Sequence, residues 1–144
     1  MNFSDFITNH GKRVKKDAFV HLVQISRVDG KMHNEEIELL HKEGKKFGLT
    51  EPEIDKLIHS EKEHHYIPPY SLVDKFDHLY NIAEMILADD VVSEKEKKMI
   101  RRFAIEAGFS DSKIDDIEKI LFDGVKNNTD EEVLFKQFKK VILH

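Results

Sequence analysis

Apolar residues recur at spacings of three and four along almost the whole chain, the period of one buried face on an α-helix. Val14, Ala18, Leu22 and Ile25 form one stripe, broadened by Phe19 and Val23. Ile37, Leu40, Gly44 and Phe47 form the next, and Ile54, Leu57 and Ile58 a shorter third. Phe76, Leu79, Ala83 and Ile86 return to the first pattern. Ile100, Phe103, Ala104 and Ala107 follow, then Ile114, Ile117 and Leu121. Leu134, Phe138 and Val141 mark a closing helix, predicted over 130–143. A short leading helix is predicted at Phe3–Ile7. No segment alternates with period two, so no strand is expected.

Polar residues punctuate these stripes. Ser93 followed by Glu96 predicts a capping box, in which the serine oxygen accepts an orphan amide and the Glu reaches back. Thr50 with Glu53 repeats the arrangement, with Pro52 early in the first turn, where its missing donor costs little. Thr129 with Glu132 is predicted to do the same before the last helix. Gly48 and Gly108 are predicted left-handed helix ends. HHYIPPY (64–70) reads as a linker.

Residues 21–58 lie over 81–118 at an offset of sixty. Asp29 meets Asp89, Glu36 meets Glu96, Gly48 meets Gly108, Ile54 meets Ile114 and Asp55 meets Asp115. Leu22/Ile82, Ile25/Met85, Met32/Val92 and Leu40/Ile100 match in kind. Units of this size cannot bury their apolar faces alone. The expectation is a single all-α domain over 1–144, a compact bundle of six or seven helices. It would comprise two duplicated three-helix units (12–60 and 72–121) related by pseudo-twofold symmetry, with the helix at 130–143 sealing the core.

Composition narrows the function. The chain has no cysteine, which excludes disulfides, thiolate metal sites and thiol catalysis. Its first basic residues follow apolar ones, the wrong order for a signal peptide, and no long uncharged run occurs. Cytoplasmic location without membrane insertion is the expectation. A net charge of −5 argues against general binding of polyanions, so no nucleic-acid partner is expected. KEKKMIRR (95–102) is the densest basic run: either a solvated face laced with ion pairs, or a patch through which Lys95–Arg102 docks an acidic protein.

The recurrent acidic pair, Asp29 with Glu36 and Asp89 with Glu96, suggests an EF-hand and fails as one. Placing Asp29 at loop position 5 puts Gly30 at 6, Met32 at 8 and Glu36 at 12, but Ile25 and Arg27 then occupy ligand positions 1 and 3. In the second copy these become Met85 and Leu87, and Asp90 replaces the glycine. Two readings stay open. Glu36 and Glu96 satisfy helix N-termini while the aspartates organise turns. Alternatively the duplication gathers four hard oxygen donors around a weakly bound divalent cation, Ca²⁺ or Mg²⁺.

At these residues the chain resembles a known family. VDGKMHNEEIELLHKEGKKF (28–47) is similar to the A-D-G-x-x-x-x-x-E signature of the TerB-like proteins, and ADDVVSEKEKKMIRRFAIEA (88–107) resembles it again. That family includes the tellurite-resistance protein TerB and the N-terminal domain of DjlA-type membrane co-chaperones. The likeness runs over roughly residues 12–142. It implies a compact two-repeat helical fold and a divalent metal held by Asp29, Glu36, Asp89 and Glu96. It further implies a non-catalytic scaffold or interaction domain with a protein partner, in a stress or tellurite-resistance setting. Asp90 and Val28 depart from the signature's Gly and Ala. No J-domain accompanies the motif, so a co-chaperone role does not carry over.

Catalytic signatures are missing: there is no G-x-S-x-G elbow, H-E-x-x-H pair, phosphate-cradling loop or dinucleotide fingerprint. An enzyme is not expected; the alternative is a small metal-dependent enzyme using the same acidic cluster. His64 and His65 fall in the linker, and His21 and His78 read as structural. Broad apolar faces on the helix from 72 and on the last helix predict a monomer or a weak homodimer.

Overall fold

The computed structural model describes residues 17–26, 33–60, 66–89 and 91–143, and for Ser60 and Asp89 the backbone alone. The Phe3–Ile7 expectation lies outside these residues. All regular structure among the described residues is helical, and none of these helices is long and apolar enough to cross a membrane. In chain order they are α1 (17–26), α2 (Asn34–Lys46), α3 (Glu51–Ser60), α4 (Leu72–Ile86), α5 (Glu94–Glu106), α6 (Asp111–Lys126) and α7 (Glu131–Leu143). A 3₁₀ turn, Leu87–Asp89, extends α4. The chain divides into two compact units, residues 1–65 and 66–144, with the boundary inside HHYIPPY.

Each unit is closed by helices that fold sharply back on one another, and one corner geometry recurs three times. At the end of α2 the Leu49 amide donates to the Gly44 carbonyl (3.0 Å) and the Gly48 amide to that of Lys45 (2.9 Å). At the end of α5, Phe109 donates to Ala104 (3.1 Å) and Gly108 to Ile105 (2.9 Å). At the end of α6, Thr129 donates to Gly124 (2.9 Å) and Asn128 to Val125 (3.1 Å). This pair of bonds satisfies carbonyls that a helix end leaves orphaned, and it requires a left-handed residue between them. Gly48 (φ 84°), Gly108 (φ 99°) and Asn128 (φ 54°) supply it. The first two corners stand sixty residues apart, with α2 and α5 beginning and ending at that same offset.

The next residue after each corner begins the following helix, and two of the three cap it with a side chain; Ser110, before α6, makes no side-chain cap bond. Thr50 Oγ1 accepts from the Glu53 amide (3.3 Å) and the Thr50 amide donates to Glu53 Oε1 (3.1 Å), the expected box. Before α7 the cap is Asp130 and not Thr129: the Glu132 amide donates to Asp130 Oδ1 (3.2 Å). Thr129 belongs to the preceding turn, where its own amide closes α6.

Four residues into each following helix sits an aliphatic knob: Ile54, Ile114 and Leu134, all buried. Opposite Ile54 is Gly44, where an added Cβ would stand 2.7 Å from Ile54 Cδ1. Gly124 faces Leu134 in the same way, closer still. Ala104 holds the corresponding position at the second corner and is also buried. In the second unit Phe76 of α4 anchors an aromatic cluster, its ring centroid 5.1 Å from Phe138 and 5.2 Å from Phe135 of α7. The apolar breadth of α7 that suggested a second chain is thus partly spent on α4, within the same unit.

Candidate functional site

The acidic turns are only partly described. Asp29 lies outside the described residues, and Asp89 ends the 3₁₀ turn with its side chain undescribed. Glu96 is fully buried at the start of α5, where its Oε1 accepts from the Ser93 amide (2.9 Å) and its own amide donates to Ser93 Oγ (3.1 Å). Its counterpart Glu36 is half-buried in the first turn of α2. His33 precedes that helix without a side-chain cap bond. Glu36 Oε2 is buried and meets no hydrogen-bond partner among the described residues. Glu36 belongs to the first unit and Glu96 to the second. Among the described residues no group of three or more His, Asp or Glu side chains is arranged to hold a metal ion.

The basic residues clasp helices together. Arg101 Nη2 meets Asp115 Oδ1 at 2.6 Å and Nη1 meets Glu118 Oε2 at 3.0 Å, tying α5 to α6. His41 occupies the equivalent place on α2, with Nδ1 2.7 Å from Glu51 Oε2 and Nε2 3.1 Å from Asp55 Oδ1 on α3. An imidazolium donates to both carboxylates, whereas a neutral ring donates to one. A hydrogen bond from Lys45, aided by its charge and that of His41, holds the Glu51 carboxyl below its ordinary range against a smaller desolvation effect. Sequence reasoning missed Glu43, a fully buried carboxylate whose Oε1 lies 3.6 Å from Lys46 Nζ. Its signal was register: Glu43 sits on the Leu40–Phe47 stripe, sixty residues before the buried Phe103.

His78 of α4, read from the sequence as structural, lies beside Tyr66. Its Nδ1 lies 3.0 Å from the Tyr66 hydroxyl, and the Tyr66 ring packs 4.7 Å from Phe103. Burial pushes the Tyr66 phenol up to about 12.

The feature with the least obvious structural purpose lies between α4 and α7. A groove of about 230 Å³ is floored by Phe76, Phe135 and Val73 and rimmed by Asp74, Asp77, Glu131 and Glu132. Desolvation, a hydrogen bond to Asp77, and the charges of Asp77, Glu84 and Asp130 hold the Glu131 carboxyl above its ordinary range. Burial and the neighbouring acids Glu84, Glu131 and Asp130 raise the Tyr80 phenol as well. Among the described residues no basic side chain lines the groove. A concave apolar floor inside a ring of like charge can seat a cationic, partly apolar ligand.

No family model, curated protein or solved structure matches this chain.

Proposed function

We propose that this chain is a non-catalytic helical interaction domain of TerB-like type, built from two related units and acting by holding a protein partner in a stress or tellurite-resistance setting. The observation that supports this most is the employment of its chemistry-bearing side chains. Glu96 is consumed in the Ser93 cap, and His41 and Arg101 clasp one helix to the next. Groups tied into caps and corners are poorly placed for proton transfer or nucleophilic attack, which need a reacting atom within hydrogen-bond reach. Assaying the purified chain on model esters, phosphoesters and peptides, with and without divalent ions, tests the reading. We expect no turnover above buffer; turnover abolished by Glu96→Gln or Glu36→Gln would replace the scaffold with a small metal-dependent enzyme.

A second reading is favoured by one atom. The buried Glu36 Oε2 meets no hydrogen-bond partner among the described residues, and Asp29, Glu36, Asp89 and Glu96 are the acids that the family resemblance assigns to a divalent cation. Calorimetric titration with Ca²⁺ and Mg²⁺ tests it. Heat in the parent protein that disappears in Asp29→Asn/Asp89→Asn supports the cation, and no heat at millimolar ion removes it.

A further inference from the structure

We propose that the groove between α4 and α7 docks a basic amphipathic peptide segment of another protein, seating one large apolar side chain on Val73, Phe76 and Phe135 while its lysines or arginines meet Asp77, Glu131 and Glu132. The inference rests on the interaction-domain reading.

Three observations converge on this occupant. First, size: a groove of about 230 Å³ is below the range of about 300–1,000 Å³ usual for small-molecule sites, and suits a single side chain of a docked segment. Second, apolar exposure: Val73, at the edge of the floor, is 52% exposed, so covering it removes apolar surface from water. Third, charge. Acids in a first helical turn are ordinarily explained by the helix dipole, and that accounts for Asp74, Glu131 and Glu132. It does not account for Asp77, in the second turn of α4, beyond the dipole's reach. The Asp77 and Glu131 carboxyls meet, and the charges acting on Glu131 from Asp77, Glu84 and Asp130 are all negative. A cationic side chain placed there relieves repulsion that the isolated protein carries, which gives selectivity for a basic segment over a neutral one. The basic residues of α7, Lys136, Lys139 and Lys140, line a separate depression with Leu143 toward the end of that helix.

The test uses the full chain and a fluorescein-labelled helical peptide bearing lysines and one phenylalanine, read by anisotropy. Binding should weaken about tenfold between about 50 and 300 mM salt as the ion pairs are screened. It should weaken about fivefold or more in Asp77→Asn/Glu131→Gln, and measurably in Val73→Ser, with circular dichroism unchanged in each. The Glu131 carboxyl titration, followed by NMR, should move to lower pH when the peptide saturates. Equal affinity for a glutamine-substituted peptide, equal binding by the double variant, or an unmoved Glu131 midpoint would overturn the proposal. So would concentration-dependent self-association lost in the double variant, which would assign the groove to the Lys139–Leu143 end of a second copy. Turnover dependent on Glu96 overturns the interaction-domain reading without touching these measurements. Failure of the peptide alone removes the groove and leaves that reading standing.

Discussion

Gly124 and Leu134 are in such close contact across the α6–α7 corner that a methyl group on the glycine would stand 2.6 Å from Leu134 Cδ2 and 3.0 Å from its Cγ. Only a hydrogen atom fits between the helices there. Gly124→Ala gains about 1 kcal/mol of helix propensity but incurs overpacking of about 1–3 kcal/mol. We expect a net loss of about 1 kcal/mol by chemical denaturation, and partial recovery in Gly124→Ala/Leu134→Val, where the knob is shortened. Additive losses in the double-mutant cycle would contradict the contact.

The left-handed corner residues Gly108 and Asn128 should respond differently to substitution. Gly108→Ala places a Cβ in a conformation that costs roughly 1–2 kcal/mol, with Lys75 Nζ 3.2 Å away and able to shift. Asn128, at φ 54°, already tolerates that region, so Asn128→Gly should be near neutral while Asn128→Ala loses up to about 1 kcal/mol. Thermal melts of the three variants give the comparison directly.

The caps of α2 and α5 offer an exchange experiment. His33 makes no side-chain cap bond, whereas Ser93 completes a capping box at the equivalent position. His33→Ser should therefore stabilise the protein by about 0.5–1 kcal/mol. Ser93→Ala should cost about 1 kcal/mol, because it removes the hydroxyl that accepts from the Glu96 amide while the Ser93 amide that holds the Glu96 carboxylate is kept. Urea unfolding of both variants checks sign and size.

Glu131 should shape the acid limb of the stability curve. Its folded-state proton affinity is raised, foremost by desolvation and then by Asp77, so its favourable contribution is fully present below the unfolded glutamate value. That contribution is lost as pH rises through the higher folded value. Measured against Glu131→Gln, which cannot ionise, the parent should lose about 0.5 kcal/mol from pH 3 to pH 7, the effect being small because the side chain is largely solvated. Added salt should shrink the difference.

What could be read from the sequence is what local spacing determines. Leu79, Ala83 and Ile86, or Ile114, Ile117 and Leu121, are buried as their helical period requires, because burial of a stripe follows from its register. The boxes at Thr50 and Ser93 were equally legible, since both partners lie within one turn. Thr129 was assigned to the wrong helix because Thr129 and Asp130 are both good caps. Only the bond from the Thr129 amide back to Gly124 decides between them. The groove was invisible for a different reason. Asp77 and Glu131 are more than fifty residues apart in sequence, and their meeting depends on which face of α4 receives α7. Glu43 was passed over because a charged residue on an apolar stripe is ordinarily expected to reach solvent, and here it does not.

Helix α6 belongs to two corners at once: its Ile114 is the knob of one and its Gly124 the hole of the other. Ten residues of helix set these two about 80° apart around the axis, since each residue advances it by about 100°. The length of α6 is therefore a fixed gauge. One alanine inserted after Ile120 would swing Gly124 away from Leu134 by about 100° and lift it about 1.5 Å. We expect that insertion to abolish cooperative melting of the second unit. The same insertion after Ile67, where Ile67 and Tyr70 are exposed and no helix has yet begun, should leave the melt in place. Length variation among natural versions of such a chain should accumulate ahead of α4 and spare the sixteen residues of α6.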